Sequence, residues 1–66
     1  MPMSLELSRT HVQELLRLAE GNAEAVYRAI GRAEAASRER GWDDAEAYPL
    51  MRLALADLTG NASYRL

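Results

Sequence analysis

The most hydrophobic stretch of this 66-residue chain reads Leu50-Met51-Arg52-Leu53-Ala54-Leu55-Ala56-Asp57-Leu58-Thr59. Its apolar residues recur at the spacing of one helix face, which predicts a helix at the centre of the core. The predicted stripe comprises Leu50, Met51, Ala54, Leu55 and Leu58. Leu53 lies off this stripe, near Asp57, and so indicates apolar surface beyond what one small core uses.

Pro49 marks the start of this helix. A proline inside a helix costs about 3 kcal/mol, because it lacks the N–H donor and its ring clashes with the preceding turn. We therefore expect one helical turn over 44–48 and a main helix that restarts at Pro49. Asp43 or Asp44 is the expected N-cap of that turn. The sequence leaves open whether Pro49 bends one helix or separates two.

Two further helices are predicted upstream, over about 8–20 and 22–40. Ser8 or Thr10 is the expected N-cap of the first helix, and Asn22 is the expected N-cap of the second. Each helical pattern ends at a glycine, as is typical of left-handed C-terminal caps. These glycines are Gly21, Gly41 and Gly60.

Both upstream helices are amphipathic. The stripe of the first comprises Val12, Leu15, Leu16 and Ala19. Leu18 lies at the edge of that stripe. The stripe of the second comprises Val26, Ala29, Ile30, Ala33, Ala36 and Ser37. These residues are mostly small, which lets a neighbouring helix approach closely. Glu24 with Arg28, and Glu34 with Arg38, have the i,i+4 order that stabilises a helix.

The predicted fold class is all-α, a small three-helix domain with a short extended N-terminal arm. We expect the whole chain, residues 1–66, to form a single domain. Its predicted parts are the arm (1–7), the helical core (8–60) and a flexible tail (61–66). In the arm, Met3, Leu5 and Leu7 alternate with polar residues, which is a short period-two pattern. For the tail, the alternative is that Tyr64 and Leu66 fold back onto the core.

The composition limits what this core can do. Among the apolar residues 12 are Ala and 10 are Leu, so the core must be compact. A chain this short buries only about 60% of the surface that its unfolded form exposes. We therefore expect marginal stability for a monomer, and a protein partner or self-association, as in a homodimer, to add to it.

The charge argues against nucleic acid as a partner. The formal net charge is −2, whereas a phosphate-binding surface normally belongs to a basic domain. All eight basic residues are Arg, for which a GC-rich genome is the simplest explanation. No apolar run approaches the roughly 18 residues of a membrane span. We therefore expect a soluble, cytoplasmic protein with no membrane partner.

No cluster of residues points to catalysis, a cofactor or a metal. His11 is the only imidazole and has no ligand or relay partner at a suitable spacing. Asp43, Asp44 and Glu46 supply fewer oxygens than a calcium loop needs, and helix capping explains them. The chain contains no cysteine, which excludes disulfides and thiolate sites. The sequence predicts a protein that is not an enzyme and that binds no cofactor.

Five residues are candidates for binding a protein partner. Trp42, beside a glycine turn, is either a core residue between helices or an exposed aromatic anchor. Tyr27 lies off its helix stripe, which predicts partial exposure. Arg28 and Arg32 lie one turn apart. They form either a solvated helix face or a site that binds an acidic partner or a phosphate. Leu53 supplies the apolar contact.

One stretch resembles a ribbon-helix-helix domain, the DNA-binding fold of many repressors and antitoxins. The resemblance rests on Leu5-Glu6-Leu7-Ser8, Val12, Leu15, Leu18-Ala19-Glu20, Gly21-Asn22 and Glu24-Ala25-Val26-Tyr27-Arg28-Ala29-Ile30. It implies a dimer whose N-terminal strands pair and enter the DNA major groove. By resemblance, Ser4 and Glu6 would face the bases and Asn22 would contact phosphate. The hydrophobic segment from Trp42 would then bind a toxin, as in bacterial antitoxins.

Three functional hypotheses follow from these features. The first is a small intracellular protein-interaction module that binds a protein partner and associates with itself. The alternative is a dimeric ribbon-helix-helix regulator or antitoxin, in which Met3, Leu5 and Leu7 hold the dimer. The third is an inhibitor or structural subunit that folds fully only inside a larger assembly.

Overall fold

A computed structural model describes residues 4–41 and 46–65, and over these ranges the chain is all-α. Its elements are helix α1 (Leu5–Leu18), helix α2 (Ala23–Glu39), helix α3 (Ala47–Thr59) and a short 3-10 helix (Ala62–Arg65). The predicted three-helix class is confirmed, and no described residue forms a strand. Within the same ranges, none of the helices has the length and apolar character needed to cross a bilayer.

Helix α1 begins earlier than the sequence predicts. Ser4 has extended backbone angles (φ −88°, ψ 164°), and its hydroxyl oxygen accepts a hydrogen bond from the N–H of Leu7 at 3.1 Å. The N-cap predicted at Ser8 or Thr10 is therefore wrong, as is the extended arm over residues 5–7. Ser8 is instead buried within the helix, where its hydroxyl donates to the Ser4 carbonyl. Met3 lies outside the described residues.

The turn between α1 and α2 follows the predicted capping chemistry. Gly21 has a φ of +80°, and its N–H donates to the carbonyl of Leu16 at 2.8 Å. The side chain of Asn22 then accepts from the N–H of Ala25, which confirms it as the N-cap of α2. Gly41 and Gly60 are also left-handed, as predicted.

Helix α3 is continuous from Ala47 to Thr59, so Pro49 does not divide it. Pro49 is its third residue, in the first turn, where a backbone N–H has no intrahelical acceptor in any case. The predicted restart at Pro49 is therefore wrong, because Ala47 and Tyr48 already belong to the same helix. Residues 44 and 45 of the turn expected over 44–48 lie outside the described residues. The caps expected at Asp43 or Asp44 lie outside the described residues.

The core lies along α3, which packs against α1, α2 and the 3-10 helix. Its buried apolar residues are Val12, Val26, Ile30, Met51, Ala54 and Leu55. Ala54 and Leu55 are fully buried, which confirms α3 as the central helix. Leu50 and Leu58 are half-buried at its margins.

The inward face of α2 differs from the predicted stripe. Val26, Ile30 and Ser37 are buried as expected, whereas Ala33 and Ala36 are exposed. The helix is rotated so that Tyr27 and Glu34 lie towards its neighbours. An aromatic ring buries far more apolar area than an alanine methyl, so its packing outweighs the alanine stripe.

The C-terminal segment folds back onto the helices. Residues 62–65 form the 3-10 helix. The ring centroids of Tyr64 and Tyr27 are 5.2 Å apart, and the two ring planes are tilted by 41°. The flexible tail predicted for 61–66 is therefore wrong over 62–65, and the fold-back of Tyr64 is confirmed. Leu66 lies outside the described residues.

Candidate protein-binding surfaces

The five predicted binding residues do not form one surface. Leu53 lines a groove between the start of α1, the end of α3 and the 3-10 helix. Tyr27 and Arg28 line a second groove between α2 and α3. Arg32 is exposed on α2 and lines neither groove. Trp42 lies outside the described residues.

The first of these, the apolar groove, has a volume of about 470 Å³. Its lining residues are Leu5, Leu53, Ala56, Asp57, Gly60, Ala62 and Arg65. Leu5 is 44% exposed and Leu53 is half-buried, so neither leucine is fully used by the core. Gly60, at a φ of +72°, ends α3 and turns the chain into the 3-10 helix that forms one wall.

The two charged residues of the apolar groove differ in their pairing. Asp57 forms an ion pair with Arg9, which joins α3 to α1. Arg65 has no ion-pair partner among residues 4–41 and 46–65. The carboxylate at the groove is therefore already neutralised, and the guanidinium of Arg65 is the charge left to meet a ligand.

The second groove is polar and is organised around Glu34. Its lining residues are Glu24, Tyr27, Arg28, Gly31, Glu34, Arg38 and Arg52. Glu34 accepts from Arg52 at 2.7 Å and from Arg38 at 3.4 Å. Arg28 is paired with Glu24 at 3.3 Å, as its i,i+4 spacing predicts. Most of the charge in this groove is therefore satisfied internally.

The pair between Glu34 and Arg52 was not predicted, and it joins α2 to α3. Their side chains are only 14% and 15% exposed, and the Nε of Arg52 has no hydrogen-bond partner among the described residues. The sequence indicated only the local partner of Glu34, which is Arg38. A contact across 18 residues leaves no periodic signal, although a lone Arg within the apolar α3 pattern could have suggested a buried partner.

A third surface is one side of α1, which we call the α1 flank. It comprises Leu7, His11, Glu14 and Leu18, all of which are exposed. Leu18 is 66% exposed and Leu7 56%, so the displaced position predicted for Leu18 is confirmed. Arg17 donates to Glu14 through two nitrogens, which lowers the pKa of that carboxyl group.

The described residues contain no group of three His, Asp or Glu side chains placed to hold a metal ion. His11 is exposed on α1, as expected for a surface histidine. Glu46 is exposed at the start of α3, whereas Asp43 and Asp44, the other members of the acidic group, lie outside the described ranges.

Comparison with protein-family models, curated proteins and solved structures gave no match to this chain. Its class is therefore defined by its own fold and surfaces. It is a small three-helix domain with an apolar groove, a polar groove whose charged residues form ion pairs, and an exposed flank on α1 with a leucine at each end.

Proposed function

We propose that this chain is a small, non-enzymatic protein-interaction module that acts in the cytoplasm, binds a protein partner and associates with itself. The observation that carries the proposal is the apolar groove. It is formed by α1, α3 and the 3-10 helix, and its leucines are not fully buried in the core. Leu5 and Leu53 present apolar surface there, and covering that surface with a partner lowers the free energy of the complex.

In this proposal an apolar side chain of the partner enters the groove between Leu5 and Leu53. Arg65, at the edge, donates hydrogen bonds to a carboxylate of the partner, since Asp57 is already paired with Arg9. An apolar anchor beside a charged contact is a common arrangement at protein interfaces.

The other predicted binding residues take different roles. Tyr27 packs against Tyr64 and Arg28 is paired with Glu24, which supports assigning both to the fold rather than to the partner. Arg32 remains a proposed contact for an acidic group, because it is exposed and no ion pair engages it within the described part of the chain. Trp42 remains a proposed aromatic anchor.

The test compares Leu53→Asp and Leu5→Asp with a control, Gln13→Asp, which changes an exposed residue of α1 outside both the groove and the α1 flank. Each immobilised chain is incubated with the same cell extract, and retained proteins are quantified by mass spectrometry. We expect a retained protein that both groove variants lose by at least tenfold and that the control keeps. Circular dichroism verifies that every variant is folded.

Two outcomes of this test would contradict the proposal. One is equal retention by the groove variants and the control. The other is unfolding by Leu53→Asp together with full retention by Leu5→Asp, which would make Leu53 a core residue and the groove irrelevant to binding.

The helical conformation of Leu5–Leu7 supports the interaction module over the ribbon-helix-helix alternative, which needs an extended strand there. A mobility shift of the intact chain with duplex DNA, weakening steeply with salt, would favour that alternative instead. The third hypothesis, a subunit that folds only within an assembly, would be favoured by poor dispersion in the NMR spectrum of the isolated chain.

A further inference from the structure

The α1 flank has the spacing of a helix–helix seam. Its members follow one another at intervals of four, three and four residues, which are the intervals of alternating d and a positions in a heptad. Of the three large apolar side chains that the described part of the chain exposes, two (Leu7 and Leu18) lie at the ends of this flank. Its centre is polar, with His11 and Glu14.

The order of residue types along the flank is complementary to the same order read in the opposite direction. If a second copy of α1 packs antiparallel, Leu7 lies opposite Leu18 of that copy, and His11 lies opposite Glu14. The two-fold axis repeats both contacts, so every flank residue meets a suitable partner. A parallel arrangement would instead place Glu14 against Glu14, where two carboxylates repel each other.

We propose that two copies of this chain associate through antiparallel packing of their α1 flanks. This inference deepens the self-association in the proposed function and uses a different face from the apolar groove. The occupant of the flank is a second copy, because in the antiparallel order the apolar ends meet each other and the His11 donor meets the Glu14 acceptor.

The neighbours of the flank fit this arrangement. Arg17 donates two hydrogen bonds to the Glu14 carboxylate, whose oxygens retain further lone pairs that can accept from His11 of the second copy. An imidazole N–H of His11 donates to a carboxylate oxygen whether or not the ring is charged. The core uses a different side of α1, where Ser8 and Val12 are buried, so neither of these residues belongs to the flank.

The dimer is a weak one. The flank runs from Leu7 to Leu18 and is therefore about 17 Å long, so we expect it to bury less than the roughly 1,200 Å² at the lower end of standard interfaces. We therefore expect association that depends on concentration over about 10 µM to 1 mM, as is typical of small interfaces.

Disulfide trapping tests the antiparallel orientation of the two α1 helices. The chain contains no cysteine, so the introduced thiols are the only ones that can cross-link. Leu7→Cys and Leu18→Cys chains are oxidised separately and as an equimolar mixture at high protein concentration. We expect a cross-linked dimer from the mixture only, because antiparallel packing brings position 7 of one copy against position 18 of the other. Cross-linking of either variant alone, or none in the mixture, would overturn the proposal.

Sedimentation equilibrium supplies a second measurement that needs no cysteine. Leu18→Glu, which changes both ends of the symmetric seam, is expected to raise the dissociation constant at least tenfold. Leu5→Glu, the same change on α1 but in the apolar groove, is expected to leave it unchanged. A wild-type chain that stays monomeric at 1 mM (about the upper limit for a weak interface) would refute the dimer.

These variants also separate this inference from the proposed function. If the groove proposal alone fails, Leu5→Glu retains every bound protein while the cross-linked dimer still forms. If the dimer proposal alone fails, cross-linking is absent while partner capture still depends on Leu5 and Leu53.

Discussion

The side chain of Glu34 links helix α2 to helix α3. It accepts from Arg38 on its own helix and from Arg52 on α3, and both Glu34 and Arg52 are largely shielded from water. A charge removed from water is costly unless it is paired, so each member of this pair depends on the other. The exposed pair between Glu24 and Arg28 has no such dependence, because water solvates each partner alone.

Glu34→Gln is therefore expected to destabilise the protein by about 1–3 kcal/mol, since it leaves the guanidinium of Arg52 without a counter-charge. The measurement is the urea midpoint at constant m-value. Glu24→Gln serves as the matched control on the same helix and should change the free energy of unfolding by less than about 0.5 kcal/mol. Equal effects would show that Glu34 is effectively solvated.

At the scale of the element, helix boundaries depend on a few capping groups. Helix α1 begins where the Ser4 hydroxyl satisfies the N–H of Leu7, one turn before the caps that the sequence suggests. Thr10, a predicted cap, instead donates its hydroxyl to the carbonyl of Glu6 within the helix. A hydroxyl in that position contributes little to helix stability.

Ser4→Ala should accordingly cost about 1 kcal/mol, because the N–H of Leu7 loses its acceptor. Thr10→Ala, the control, is expected to change stability by no more than about 0.5 kcal/mol. Thermal unfolding followed by circular dichroism measures both. A larger loss for Thr10→Ala than for Ser4→Ala would place the start of α1 near residue 10 and contradict the structure.

Gly31 lies in the interior of α2, where a glycine weakens a helix. A Cβ built there meets no heavy atom within 4 Å, and its backbone is helical. Gly31→Ala is therefore expected to stabilise the chain by about 0.5–1 kcal/mol. Gly60→Ala is the contrasting variant and should destabilise by about 1 kcal/mol, because φ at Gly60 is +72°. Chemical denaturation compares the two, and destabilisation by Gly31→Ala would contradict the open surroundings of this site.

For the whole molecule, the C-terminal segment completes a small core. Tyr64 lies against Tyr27 and is part of the apolar layer that surrounds the buried cluster. In a domain of this size, one packed aromatic ring is a substantial share of the buried apolar area. The 3-10 helix also forms one wall of the apolar groove, through Ala62 and Arg65.

Tyr64→Ala should thus destabilise by about 1–3 kcal/mol, less than for a fully buried ring because Tyr64 is only half-buried. In a domain this small, each kcal/mol lowers the melting temperature by about 4–8 °C, which differential scanning calorimetry resolves. Arg65→Ala, in the same 3-10 helix, removes no core contact and is expected to leave the melting temperature nearly unchanged. A similar drop for both variants would mean that the ring contact is not the stabilising feature.

The all-α class, the central position of α3 and the caps at Asn22 and the glycines were predictable from the sequence. These features follow from local chemistry, since apolar periodicity and capping act over a few residues and need no distant partner. The same is true of the displaced Leu18 and of the i,i+4 ion pairs on α2.

Only the tertiary structure established the rotation of α2, the pairing of Glu34 with Arg52 and the placement of Leu53 in a different groove from Tyr27 and Arg28. Each of these features depends on how large side chains from different elements pack in a small core. The residues in contact are far apart along the chain. Tyr27 displaces the alanine stripe because Tyr64 returns to meet it. Leu53 becomes part of a groove because the start of α1 and the 3-10 helix close around it, an arrangement that no local pattern encodes.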